Sequence, residues 1–227
     1  SVEVRTFRES DAHAVLGAVA GGFAADTLCA PAIPQPADQG IDSSTTRIPM
    51  TQHSSADDVA CIVIMEANGV FDQCLEKIGH CLSQLSDEQV WWRPHESQNS
   101  IGNLVLHLTG NVGQWIVSGV GGEDDVRDRP GEFSERGPIS TDTLLARLVA
   151  TVNAAKGILD RSSSENMLIE RTIQGFRVSG WGALFDSLPH FKGHTQEIVC
   201  LTRMQLGEGY QFHWQPQTPE QGAPHAS

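Results

Sequence analysis

Residues 100–118 read SIGNLVLHLTGNVGQWIVS, and the spacing inside this stretch decides the fold class. Ile101, Leu104, Leu108, Val112 and Trp115 recur at steps of three or four, the period that lines one face of an α-helix. Ser100 stands where a side-chain oxygen can cap the first turn, and Gly119, Gly121 and Gly122 end the run near Ser118. His107 lies on the shoulder of the apolar stripe, with Asn111 one turn further on. An imidazole turned toward a core needs a partner, because an unpaired buried polar group costs roughly a few kcal/mol.

The same period appears on both sides of this helix. Ile64, Ala67, Phe71, Leu75, Ile78, Leu82 and Leu85 predict a long first helix from Ser55 to near Leu85. Ser86-Asp87-Glu88 then caps a short turn carrying Trp91 and Trp92, tryptophans placed to close one end of a bundle. The segment Gly121–Pro138 reads as a long charged loop rich in Gly and Pro. Within it, Arg127, Arg129 and Glu132 read as a salt-bridged latch, the alternative being a pocket wall that holds an anionic substrate. Ser140 caps a third helix with Leu144, Leu148, Val152, Ala155 and Leu159 on one face, and Leu168–Val178 predicts a hairpin turning at Gln174-Gly175. Ser179 or Gly180 opens a fourth helix through Leu206. Pro189 removes one of its backbone hydrogen bonds, so a kink or restart is expected just before His190. Four such helices with one short hairpin make an all-α, four-helix architecture.

His190 and His194 are one turn apart in that last helix. Residues so spaced lie about 40° apart on one face and about 6 Å apart in rise, so their imidazoles can share one ion. A third imidazole from a facing helix, His107, would complete three legs of a tetrahedron, with a zinc ion about 2.0–2.1 Å from each ring nitrogen. Three neutral imidazoles suit Zn, Ni, Cu or Fe(II) and suit Ca or Mg poorly, and three protein ligands leave one position open to water or substrate. Against this, nine histidines in 227 residues make such a spacing common by chance. The sequence His190-Phe191-Lys192-Gly193-His194 also lacks the acid of a metalloprotease helix. His194 falls within the stripe Leu184, Leu188, Phe191, Ile198, Leu201, so hydrogen-bonded core histidines stand beside metal ligands as readings of the spacing. Glu197 shares the face of the pair and can orient a ligand imidazole, act as a base, or pair with Arg203. Asn111 is a candidate outer partner of the centre.

Three separated motifs occur here in one order: the run from Ser100 to Asn111 with His107 near its end; Arg127-Asp128-Arg129 followed by Glu132-Phe133; and His190, His194 and Ile198 at steps of four. Together they resemble the DinB-like superfamily of YfiT-like metal-dependent enzymes, in particular a branch of small bacterial proteins of unassigned function. The resemblance spans Ala56 to Trp214. It implies an up-down-down-up four-helix bundle with a divalent metal, often zinc or nickel, held by one His of the second helix and two of the fourth. Those positions carry over to His107, His190 and His194. Characterised relatives include transferases that use mycothiol, bacillithiol or glutathione, so the resemblance implies a low-molecular-weight thiol as co-substrate. Water in place of the thiol would give a hydrolase, with Glu197 as the candidate base. A pocket that stores or senses a metal or small molecule without turnover is the non-enzymatic alternative, and a helical interaction protein with vestigial histidines is a third.

Composition narrows the partners. The net charge of −13 argues against nucleic acid or an anionic membrane surface, both of which need a basic face, and leaves a small-molecule substrate. Five cysteines, Cys29, Cys61, Cys74, Cys81 and Cys200, form no C-x-x-C pair and read as small core residues in a reducing cytoplasm. Lys77 and Arg203, one turn after Cys74 and Cys200, make a thiolate nucleophile the sharper alternative. Val15–Ala25 is too interrupted for a signal peptide, and no apolar run is long enough to cross a membrane. Residues 1–49 carry a Pro- and Ser-rich stretch without period, and the first methionine is Met50. They are expected to be a disordered or mis-assigned extension with at most a short helix at Ala12–Ala25. Residues 50–214 then form the bundle domain and 215–227 a polar tail. Pairing into a homodimer along exposed helix faces is a further expectation.

Overall fold

The computed structural model describes residues 55–214; the expectations for the extension, its short helix, Cys29 and the polar tail lie outside these residues. The chain forms α1 (Ser55–Leu82), α2 (Asp87–Trp91), α3 (Ile101–Val112), α4 (Arg129–Ser134), α5 (Thr141–Asp160), α6 (Ser164–Leu168), β1 (Glu170–Ile173), β2 (Phe176–Ser179) and α7 (Gly180–Leu206). Serine opens most of these helices. Ser86, Ser100, Ser140, Ser163 and Ser179 each accept a backbone N–H of the first turn, and Ser86 and Ser100 complete the reciprocal capping box with Gln89 and Asn103.

The four long helices are α1, α3, α5 and α7, and their pairings fix the direction of each. Phe71 meets Phe191 edge to face at 5.2 Å, and Cys74 and Cys81 bond Thr195 and Thr202, so α1 and α7 run parallel. Asn68 donates to Asp160 at 2.7 Å, and Asp72 accepts from Lys156 at 2.6 Å, so α5 runs against α1. His107 faces His190 while Asn111 accepts from Ser187 at 2.9 Å, so α3 runs against α7. This is the up-down-down-up bundle. Helices α1 and α3 sit diagonally, each packed on α5 and α7. Their shared core includes Phe71, Ile78, Leu104, Leu108, Leu148, Leu159, Phe191 and Ile198, each fully buried. Burying one such side chain contributes about 1.5–3 kcal/mol, so the bundle does not depend on any bound group for its packing.

Helices α3 and α5 are parallel neighbours, with Gly113 against Thr151 and Gly121 against Ile158. The connection between them therefore travels back along the bundle. It is not wholly irregular, as its composition suggests. Asp128 caps α4, with Pro130 early in its first turn, and this short helix carries Glu132.

Three further details depart from the sequence reading. Helix α3 does not continue as an α-helix to Ser118 but widens into a π-helical segment, Gly113–Ser118, with Gly119 N–H bonded to the Gln114 carbonyl. Helix α7 does not restart at Pro189: it is continuous, because Pro189 and Phe185, whose carbonyl loses its donor, are both exposed. Cys61 and Cys200 are exposed and are not core residues, whereas Cys74 and Cys81 are buried as expected. Burial pushes the Cys74 thiol up, against the effect of Thr195 and Lys77, which opposes a thiolate there. Among the described residues no helix is long and apolar enough to cross a membrane.

Candidate metal centre

Helix α3 delivers His107 and α7 delivers His190 and His194 to one point between the two helices. One potential ligand atom from each imidazole lies within 4.8 Å of the others. Ring centroids are 5.0 Å apart for His107 and His190, 5.1 Å for His107 and His194, and 4.5 Å for His190 and His194. His107 is buried, and the α7 pair is half-buried. The Nε2 atoms of His107 and His190 face one another at 2.9 Å.

Carboxylates decide which nitrogen of two of these rings is available. His107 Nδ1 lies 2.9 Å from Glu132 Oε2. Arg127 Nη2 also lies 3.1 Å from this nitrogen, but it has Glu132 Oε2 as an acceptor at 2.9 Å, whereas a bare lone pair on Nδ1 would oppose the carboxylate. The arrangement therefore favours the proton on Nδ1, with Nε2 as the electron-pair donor of the ring. His194 Nδ1 in the same way donates to Glu197 Oε2 at 2.7 Å. Glu132 is itself held by Arg127, whose Nε donates to Oε1 at 2.7 Å and whose Nη2 donates to Oε2 at 2.9 Å. The Arg127 and Glu132 side chains are only 3% and 7% exposed, so this ion pair is a buried one. Gly110 makes room for it: a Cβ at that position would lie 1.9 Å from Glu132 Oε1. The Phe133 ring packs 4.8 Å from His107, and the Arg129 guanidinium stacks over Phe133 at 5.1 Å.

The electrostatics disfavour the charged forms of His107 and His190. Burial holds the His107 imidazole below its ordinary value despite the hydrogen bond to Glu132 that favours the charged form. Burial and the neighbouring His194, His107, Arg127 and Arg129 push His190 down to about 3. Burial alone would raise the Glu132 carboxyl, but its bonds to Arg127 and His107 outweigh that and leave it below the usual range. Three converging imidazoles, two of them with Nδ1 bonded to a carboxylate, are a donor set that suits zinc or nickel, so the residues present fit such an ion.

The sequence-predicted residues therefore fall into two groups. His107, His190, His194 and Glu197 come together. Asn111 lies one turn from His107 but is bonded to Ser187, tying α3 to α7 rather than touching an imidazole. Of the latch read as Arg127, Arg129 and Glu132, the Arg127–Glu132 pair forms while Arg129 stacks over Phe133, and the carboxylate also holds His107, a role the sequence reading left out. Its one signal was the place of Glu132 in a motif that carries the family resemblance together with the histidine motifs, and only the fold shows that the connection returns to them.

The family described as "Protein of unknown function (DUF1572)" matches residues 55–217. The chain belongs to this family. No curated protein matches the sequence. Among solved structures, the conserved protein of locus from Enterococcus faecalis superposes with a TM-score of 0.56 at 18% identity, covering 64% of this chain and 98% of that one. A DinB-like protein from Bacillus cereus superposes with a TM-score of 0.51 at 15% identity, covering 63% of this chain and 90% of that one. At these identities the likeness is one of fold, and that fold is the all-α, DinB-like bundle.

Proposed function

We propose that this DUF1572 chain is a metal-dependent enzyme that holds a divalent transition metal, zinc or nickel, on His107, His190 and His194 and uses a low-molecular-weight thiol as co-substrate. The observation that carries the metal assignment is the convergence of three imidazoles, two of them with Nδ1 bonded to a carboxylate. An ion in such a site supplies a Lewis acid that favours the ionised form of a thiol at neutral pH. The protein's own groups do the rest. Glu132 and Glu197 orient His107 and His194, and Arg127 keeps Glu132 ionised where water is excluded.

The same contacts favour thiol transfer over hydrolysis. Hydrolysis needs a base beside the centre, and the two carboxylates bonded to the triad are committed to imidazoles or to Arg127. A thiol ionised by the centre needs no such base. The test begins with elemental analysis of the purified protein. Metal-loaded protein is then assayed with a panel of electrophiles, each with and without mycothiol, bacillithiol or glutathione. Thiol-dependent conjugation is the expected result, accompanied by a shift in the absorption of cobalt-substituted protein when the thiol is added. A metal-replete protein with neither response would discard the transferase reading and leave a binding module that stores or senses a metal or small molecule.

A further inference from the structure

We infer that the β1–β2 hairpin is a positioning element of the histidine centre, acting through Gln174 on Arg127 and so on Glu132 and His107. The inference rests on His107 being a residue of the centre proposed above, and it assigns a task to a hairpin that the bundle itself does not require.

The turn residues are the first indication. Gln174 and Gly175 both have positive φ, 51° and 82°, as a two-residue hairpin turn demands. Glycine at the second position is unstrained. The first position favours Asn, Asp or Gly, and here it carries a glutamine in the left-handed region. Such a residue persists where its side chain is tied down.

The side chain is tied to the network behind His107. Ile173, buried at the end of β1, packs into a notch over Gly119, where a Cβ would lie 2.4 Å from Ile173 Cδ1. That contact brings the turn against the π-helical segment and the stretch carrying Arg127. The Gln174 amide then lies between Trp115 Nε1, Arg127 Nη1 and the Gln114 side-chain amide. With its oxygen toward the two N–H groups it accepts from Trp115 at 3.1 Å and from Arg127 at 2.8 Å. That oxygen lies 2.5 Å from the Gln114 amide, which must turn its N–H toward it, so Gln174 rather than Gln114 is the acceptor of Arg127 Nη1.

Arg127 sits between Gly122 and Asp128, a stretch without regular structure, so side-chain contacts alone hold its guanidinium in place. Glu132 takes Nε and Nη2, with Nη2 also 3.1 Å from His107 Nδ1, and Gln174 takes Nη1. A buried guanidinium with an unmatched N–H is costly, so the Gln174 contact fixes how Arg127 presents its other two donors to Glu132. Glu132 in turn fixes the His107 tautomer and ring plane.

The test uses the full chain carrying Gln174→Gly or Gln174→Asn. Both side chains accept positive φ, and neither reaches Arg127. In metal-free protein, the Arg127 Nε–H and His107 Nδ1–H resonances should exchange slowly in the wild type and roughly tenfold faster or more in both variants, with little or no loss of melting temperature. With zinc added, the dissociation constant should rise about three- to tenfold, less than for a group that touches a ligand directly. Arg177→Ala removes an exposed ion pair with Glu170 in the same hairpin and should leave both resonances and the zinc constant unchanged. Unchanged resonances in Gln174→Gly, or the same acceleration in Arg177→Ala, would overturn the inference. A wild type that binds no zinc would instead remove the metal assignment, while the metal-free resonances still decide what the hairpin does.

Discussion

Gly110→Ala should weaken this protein although the position is helical. In an ordinary helix interior the change stabilises by about 1 kcal/mol, because alanine is the better helix former. Here the new Cβ would lie 1.9 Å from Glu132 Oε1 and 3.1 Å from Arg127 Nε. The carboxylate is the end of a side chain and can swing aside, but only by giving up two bonds from Arg127 and one from His107. Arg127 is 3% exposed and cannot replace those bonds with water. Breaking a buried pair costs about 3–5 kcal/mol. Offsetting the helix gain leaves a net loss of about 2–4 kcal/mol, or a melting temperature lower by roughly 4–16 °C for a domain of this size. Zinc affinity should fall as well, by about ten- to a hundredfold, because the carboxylate that orients His107 is displaced. Thermal unfolding of metal-free protein followed by a competitive zinc titration measures both. A variant about 1 kcal/mol more stable than wild type, with unchanged zinc affinity, would show that Glu132 is not wedged against α3 and would refute the reasoning.

His107→Ala, His190→Ala and His194→Ala should each lose most of the bound metal by elemental analysis while keeping their far-ultraviolet helix signal, since the core supplies the stability. Metal at wild-type content in His107→Ala would remove that residue from the centre. Glu197→Gln retains an amide oxygen that can accept from His194 Nδ1, so metal content and thiol transfer should stay close to wild type; turnover lost with metal retained would make Glu197 a base and revive hydrolysis. The metal-free protein should lose stability in acid. Below about 6.5 an unfolded chain protonates His190, whereas the folded protein holds it neutral down to about 3. Its contribution is therefore complete above pH 6.5 and is lost toward pH 3, at up to about 1.4 kcal/mol per pH unit. Urea unfolding between pH 7 and pH 5 should show that slope, and His190→Gln should flatten it; equal slopes would contradict the burial of a neutral ring.

The bundle and its caps were legible in the sequence because they are local. A period of 3.6 and a serine before the first apolar residue are written within a few positions of each other, as at Ser100 and Ser140. The hairpin was legible for the same reason, from Gln174-Gly175 between two short apolar stretches. The three histidines could be grouped only with the help of a family resemblance, since spacing ties His190 to His194 but says nothing of His107, 83 positions away. Glu132 was legible only as a partner of Arg127 and Gln174 only as a turn residue, because the contacts of Glu132 to His107 and of Gln174 to Arg127 span distant parts of the sequence. The π-helical segment escaped because no residue type marks it, and α4 was hidden by the Gly and Pro around it. The exposed Cys61 and Cys200 show the limit of composition: a residue type that is usually buried carries no position.

Because α3 and α5 run the same way, the chain must return the length of the bundle before the third long helix can begin. A helix of 20 residues such as α5 is about 30 Å long, and about nine extended residues would cover that distance. The chain runs from Gly119 to Ser140, more than twice what the journey needs. That slack is where Asp125, Arg127, Glu132 and Phe133 are found. A segment obliged by topology to pass the histidines, yet longer than topology requires, can exchange much of its contents while the packing among the four helices stays, Val120 being its buried member of the core. The bundle can thus keep its three imidazoles constant while the passing strand of chain retunes them, which makes this return path the part of the molecule most open to divergence and to redesign.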